Sequence, residues 1–407
     1  VSLRVVAVAD TDSYVKWAAW LLGSADVDGT LVVLDTELVV TDGQLSRALA
    51  GAGLDQQRVA RTSLDDLPHR LIGADVVLVA ARGPVARVIA RVAAHAEPRA
   101  VRATGLPGIS IPATWRALHF RRACEMFILH SRREVSEFAA LAVERGITQR
   151  FALATLPFAR QRKWLSSDEG TDLVFAAQAR IPADPAERLR VARILVRAAE
   201  ADPSRRVVLK LRGRPGEHET HREDDPYPAM LAAIGQPHNL VISYEPMSAA
   251  LVSAQGLVTV SSTAAIEAAA HGVPVIALDT FGIDDALINT VFHGSGLLAG
   301  EEEVIARNFR HPAAEWLDEN YFHDPADDTW VALAQSLVEE RQKETSSPVR
   351  EERQTLLRTA RFVWERRLAL GNRDTSAAGR AAFVVGVPAR GALRLFRRVR
   401  RRLARTS

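Results

Sequence analysis

The feature that most restricts this chain is a strand–helix alternation that runs twice along it. Over the first 157 residues, short apolar runs such as LRVVAVAD (3–10), TLVVLD (30–35) and DVVLVAA (75–81) alternate with helical patterns such as SYVKWAAWLLG (13–23) and PVARVIARVAAHA (84–96). Strands that are apolar on both faces and separated by helices predict a parallel sheet covered on two sides. The polar, aperiodic stretch RQRKWLSSDEGTD (160–172) reads as a linker, after which the pattern resumes with LVFAAQA (173–179), RRVVLKLRG (205–213), LVISYE (240–245), GLVTVSS (256–262) and PVIALD (274–279). The expected architecture is therefore α/β, with two doubly wound Rossmann-like domains. Ligands of such sheets sit beyond the carboxyl ends of the strands, so the expected site is the cleft between the two units.

Composition narrows the class further. The 407 residues suit two domains, and 47% apolar with 25% charged residues is ordinary for a globular protein. A single cysteine, Cys124, excludes a disulfide framework and a multi-cysteine metal site. No apolar run reaches the roughly 18–20 residues that span a bilayer, and no secretory leader is recognisable. A cytoplasmic protein is the expectation. The net charge of +3 hides an uneven distribution, because residues 380–407 hold nine arginines and no acid. ALRLFRRVRRRLARTS sets an apolar strip beside a cationic face, a pattern suited to anionic lipid surfaces. No nucleic-acid reader motif is present. The expected divisions are one Rossmann-like domain at 1–160, a second at 161–345, a closing helix at 346–372 and a basic amphipathic tail at 373–407.

The stretch VTVSSTAAIEAAAHGVPVIALDTFG (258–282) leaves a strand through Ser261, Ser262 and Thr263 and enters a helix of alanines. Hydroxyls at a helix start cap free backbone amides, and the same dipole end holds phosphate. An ordinary capped helix explains the residues equally well on local grounds. The pattern resembles the nucleotide-binding half of GT-B glycosyltransferases, and is most similar to bacterial sialyltransferases, polysialyltransferases and capsule-polymer enzymes. That resemblance implies that Ser261, Ser262 and Thr263 bind the phosphate of a CMP-sugar and that Glu267 contacts the ribose. It also implies a transfer without metal or other cofactor.

VVLKLRGRPGEHETHRE (207–223) follows a strand of the second series and lacks the His-Pro pair usual in CMP-sialic acid enzymes. Lys210, Arg212 and Arg214 offer charge for a phosphate or a sugar carboxylate. Glu217, His218, Thr220, His221 and Glu223 crowd the same loop with groups that bind or move protons. Lys210, Arg212 and His221 are the expected assistants of the leaving group, with Glu217 and Glu223 beside them. The loop is similar to a pattern in actinobacterial proteins of nonulosonic-acid polymer clusters, which implies Kdn or a related sugar acid and a teichulosonic-acid-type polymer.

The first series ends its first strand in Asp10, Thr11, Asp12 and Ser13, without a G-x-G-x-x-G fingerprint. Asp10 or Asp12 is the expected base for an inverting transfer, or the nucleophile of a retaining one. Tyr14 and Lys16 are placed to orient an acceptor, and ATGLPGISIPATW (103–115) reads as an acceptor loop. His130 and Ser131 read as a packed histidine and a helix cap, and Cys124 as packing. The sequence thus predicts a peripheral-membrane glycosyltransferase carrying a CMP-activated nonulosonic acid to a glycan or lipid-linked acceptor. A UDP-sugar transferase, a nucleotide-sugar 2-epimerase and a non-catalytic scaffold of the same fold are the alternatives.

Overall fold

Each apolar run that alternates with a helical pattern becomes a strand of one of two parallel sheets. The computed structural model describes residues 2–95, 99–160, 170–211, 226–344, 356–374 and 376–381. The first sheet contains β1 (Arg4–Ala9), β2 (Asp28–Leu34), β3 (Val59–Thr62), β4 (Val76–Ala80), β5 (Val101–Gly105), β6 (Met126–Leu129) and β7 (Arg150–Leu153), in the order β3-β2-β1-β4-β5-β6-β7. The second contains β8 (Asp172–Ala176), β9 (Val207–Lys210), β10 (Leu240–Ser243), β11 (Ala254–Thr259), β12 (Val275–Leu278) and β13 (Leu298–Ala299), in the order β10-β9-β8-β11-β12-β13. The ladders from β3 to β5 and throughout the second sheet are parallel. Both orders reverse beside the first strand of the series, as in Rossmann sheets. The two-sheet α/β reading of the sequence is what the structure shows.

Burial explains why the strands carry no polar alternation. Every residue of β4 and β8 is buried, as is all of β1 after Arg4. Parallel strands flanked by crossover helices have no solvent face. In the first sheet Val6, Val8, Val32, Val77 and Val79 pack with Val85, Ile89 and Ala93 of the helix Gly83–Ala93. Phe362 and Ala369 of the helix Leu356–Leu370 lie against the same cluster. In the second sheet the helix Ala264–Ala270 buries Ala264, Ala265, Ile266, Ala268 and Ala270 beside Val174, Leu257 and Val275. Small side chains let that helix approach the strands closely.

By backbone contacts the chain divides into two units that are discontinuous in sequence. One combines residues 1–104, 119–126 and 334–407, and the other combines 105–118 and 127–333. Helices that the sequence reading passed over include Asp42–Leu49, capped reciprocally by Thr41 and Gln44, and Trp330–Glu344. No described helix is long and apolar enough to cross a membrane. Residues 161–169 of the expected linker, and residues 382–407 of the expected basic tail, lie outside the described residues.

Candidate functional site

Strand order places one polar centre at each reversal point. In the second sheet, β8 and β11 lie side by side, so the loops leaving them meet. Gln178 follows β8, and its Oε1 accepts from the Ser261 amide at 3.1 Å and from Ser261 Oγ at 3.2 Å. Thr259 Oγ1 donates to the Ala176 carbonyl at 3.0 Å and accepts from the Ser262 amide at 3.2 Å. Ser262 Oγ in turn accepts from the Ala264 amide at 3.2 Å. Ser261 is buried, whereas Ser262 and Thr263 are half-buried. The hydroxyls are therefore divided in role: Ser261 is clamped to Gln178, and Ser262 holds the turn into the helix. Thr263 is the residue before the helix, and its side chain makes no capping bond. It faces Gly108, where an added Cβ would come within 2.9 Å of Thr263 Oγ1 and where φ is +153°. A side chain at 108 would meet both the strain of that backbone region and this contact.

Glu267 lies in the first turn of the alanine helix, half-buried, and its carboxylate makes no hydrogen bond or ion pair among the described residues. Lys210 closes β9 and is buried, with Nζ donating to the Leu211 carbonyl. Arg212, Glu217, His221 and Glu223, together with Arg214, His218 and Thr220, lie outside the described residues. Two residues that the sequence reading missed support this centre. One is Gln178. The other is Arg188, whose Nη1 donates to the carbonyls of Gln178 at 3.1 Å and Pro182 at 3.3 Å while its guanidinium lies 4.2 Å from the Tyr227 ring centroid. Arg188 reads as an exposed helix residue in PAERLRVARIL, and only the fold turns it inward.

The first sheet has its centre beyond β1 and β4. Asp10 is fully buried, with Oδ1 accepting from the Arg82 amide at 3.1 Å and Oδ2 from Arg82 Nε at 2.8 Å. Burial raises the Asp10 carboxyl above the usual carboxylate range, and the facing charges of Arg82 and Arg121 only partly oppose this. Tyr14 is buried as well. Its hydroxyl accepts from Arg121 Nη2 at 2.6 Å, the same nitrogen that donates to the Ala81 carbonyl at 2.8 Å. Burial pushes the Tyr14 phenol up, so it stays neutral. Asp12 takes the first position of the helix Asp12–Gly23, half-buried, with Ser13 Oγ 3.4 Å from its Oδ1. Lys16 is exposed. Sequence reasoning named Asp10 and missed Arg82, which stands 72 residues away.

A third polar group fixes the loop after β5. Glu134, buried at the start of the helix Arg132–Glu144, accepts from the amides of Ser110 at 2.8 Å and His130 at 2.9 Å and from the Tyr321 hydroxyl at 2.6 Å. Ser131 caps that helix through the Glu134 amide at 3.1 Å. His130 lies between two carbonyls, Ala154 at 2.7 Å and Leu106 at 3.1 Å. Burial holds it below its ordinary value, although Glu134 and both carbonyls pull the other way. Cys124 packs in the first core, where burial pushes its thiol up to about 12.

Comparison with known proteins fits this geometry. Residues 5–337 match the family described as "Putative glycosyltransferase (DUF6716)". No curated protein matches the sequence. Among solved structures, UDP-GlcNAc 2-epimerase of Methanocaldococcus jannaschii, in complex with UDP-GlcNAc and UDP, is similar at 12% identity and TM-score 0.53, covering 83% of this chain and 99% of that one. The S. aureus MnaA–UDP co-structure is similar at 11% identity and TM-score 0.51, covering 84% of this chain and 97% of that one. At such identities the likeness is one of fold, the GT-B class with its two Rossmann-like sheets. With most of its length matched by the family, the chain belongs to this glycosyltransferase family.

Proposed function

We propose that the protein transfers a sugar from a nucleotide-activated donor, with residues 161–345 holding the donor and residues 1–160 the acceptor. The observation that carries this reading is the polar centre beyond β8 and β11. There a hydroxyl-lined turn braced by Gln178 stands one helical turn from Glu267, which has no partner among the described residues. Amides and hydroxyls at such a turn suit a phosphate, and an uncommitted carboxylate nearby suits the two hydroxyls of a ribose. In this reading Ser261, Ser262 and Thr263 line the phosphate and Glu267 takes the ribose, with no metal or other cofactor. Lys210, Arg212 and His221 assist the leaving group, Glu217 and Glu223 complete their loop, and Asp12 is the base that activates the acceptor. Asp10 is the poorer choice, because its carboxylate is buried and occupied by Arg82.

The donor proposed is a CMP-activated nonulosonic acid such as Kdn, passed to a cell-wall or capsular glycan. The arginine-rich tail at 373–407 would bring the enzyme to an anionic membrane carrying a lipid-linked acceptor. A UDP-sugar donor is the second reading, favoured by the UDP and UDP-GlcNAc in the two structures of similar fold. Thermal shifts with CMP, UDP and GDP separate them. Stabilisation by CMP alone, followed by acceptor-dependent CMP release from CMP-Kdn, supports the first reading. Stabilisation by UDP alone replaces it with the second, and no shift with any nucleotide removes the donor-site assignment.

A further inference from the structure

The centre beyond β1 and β4 has an unfilled demand of its own. Arg82 spends its amide and Nε on Asp10, which fixes the guanidinium plane, while Nη1 and Nη2 have no partner among the described residues. The Arg82 side chain is 31% exposed, so those donors are reachable from solvent. Thr11, next to Asp10, is only 3% exposed, and its buried Oγ1 has no hydrogen-bond partner among the described residues. As the residue before the helix Asp12–Gly23 it stands where a hydroxyl normally caps, yet it makes no capping bond. A buried hydroxyl without a partner costs about 1–3 kcal/mol, a cost that a ligand oxygen would remove. Adjacent parallel strands β1 and β4 both lead directly into helices, Asp12–Gly23 and Gly83–Ala93, whose amino ends carry partial positive charge at this same sheet edge. Asp12 is the neighbouring acid along the chain and is met by Ser13.

We propose that Arg82 and Thr11 form an oxyanion-binding site at the carboxyl ends of β1 and β4, taking a phosphate or carboxylate group, with Asp10 as the positioning residue that aims the guanidinium. A guanidinium gripped through Nε presents its two outer nitrogens as a fork, the geometry that matches two oxygens of one anion. Tyr14 and Arg121 stiffen the floor beneath it through the Ala81 carbonyl. Assigning the anion to the acceptor rests on the transferase reading above, and this site then selects an acidic or phosphorylated glycan. The site itself does not depend on that reading.

The test is calorimetric titration of the full chain with inorganic phosphate and, separately, with glucuronic acid, the two arms separating phosphate from carboxylate ligands. Binding of either probe by the wild type is expected to weaken about tenfold in Arg82→Gln and about threefold in Thr11→Val and Arg82→Lys. Arg193→Gln, which removes an exposed guanidinium from the helix Pro185–Ala201 of the other unit, is expected to leave this binding unchanged. Circular dichroism confirms folding, and Thr11→Val, which removes a hydroxyl and no charge, keeps the test decisive if Arg82→Gln fails to fold. Titrations flat for both probes, or equal in wild type and the folded Thr11→Val and Arg82→Lys variants, overturn the proposal. A nucleotide thermal shift measured in Arg82→Gln separates the two claims. Its persistence alongside lost anion binding supports both. Arg82-dependent anion binding without any nucleotide shift keeps this site and removes the donor assignment.

Discussion

The two reversal points occupy the same topological position and are built from opposite chemistry. Beyond β1 and β4, a buried carboxylate is locked to an arginine. Beyond β8 and β11, the partners are an amide side chain and hydroxyls, and the Glu267 carboxylate has no partner among the described residues. A buried ion pair is held stiffly because either partner left alone would be a costly unpaired charge. A neutral turn of amides and hydroxyls costs little to expose and can exchange its partners for those of a ligand. The first arrangement suits the presentation of fixed charge, and the second suits binding and release.

The largest expected effect breaks the charged centre. Arg82→Ala should lower the unfolding free energy by about 2–3 kcal/mol, somewhat less than for a fully buried pair because Arg82 reaches solvent. Urea denaturation measures it, and a loss below about 0.5 kcal/mol would show that Asp10 is not held as described. Gln178→Ala should cost less, about 1 kcal/mol, since only neutral bonds to Ser261 are lost. Nucleotide affinity should fall in the same variant, because the Ser261 turn loses its brace.

Titration sharpens the comparison further. Asp10 is raised in the folded state, so its proton stabilises the fold below the unfolded value of about 3.8, and that stabilisation is lost as pH rises through the raised folded value. Wild type should therefore gain stability relative to Asp10→Asn as pH falls through that window. His130, in the other unit, is lowered, so its contribution is present above about 6.5 and is lost as pH falls below that value. Denaturation curves between pH 7.5 and 3.5 for wild type, Asp10→Asn and His130→Gln would show the two signs. The smallest effect on stability is expected from Glu267→Gln, within about 0.5 kcal/mol, because the carboxylate has no partner among the described residues. If it holds the ribose, nucleotide affinity should still drop about tenfold, and an unchanged affinity would remove that role.

The strands were legible because a parallel sheet buries both faces of every strand, which writes uninterrupted apolar runs such as RVVAVA and DLVFA into the sequence. Ser261, Ser262 and Thr263 were legible because a turn into a helix uses hydroxyls at fixed local spacing. Their division of labour was not. Ser261 meets Gln178 across 83 residues only because β8 lies beside β11, and nothing local to GLVTVSS specifies that neighbour. Lys210 reads as a free cation in KLRGRPGEHETHRE, but the fold buries it against a main-chain carbonyl. The residues that follow it, 212–225, lie outside the described structure, so their reading rests on sequence alone.

The sequence by itself determined the class of fold, the two series of strands, and the hydroxyl turn between β11 and the alanine helix. Those features depend on hydrophobic period and on residues within a few positions of one another. Tertiary structure decided which polar groups are spent and which are free. Asp10 became a holder of Arg82 and not an open base, and among the described residues neither the Thr11 hydroxyl nor the Glu267 carboxylate has a partner. The physical reason is that the pairing of a polar group is settled by what strand order brings beside it, through contacts 70 or more residues apart in the chain.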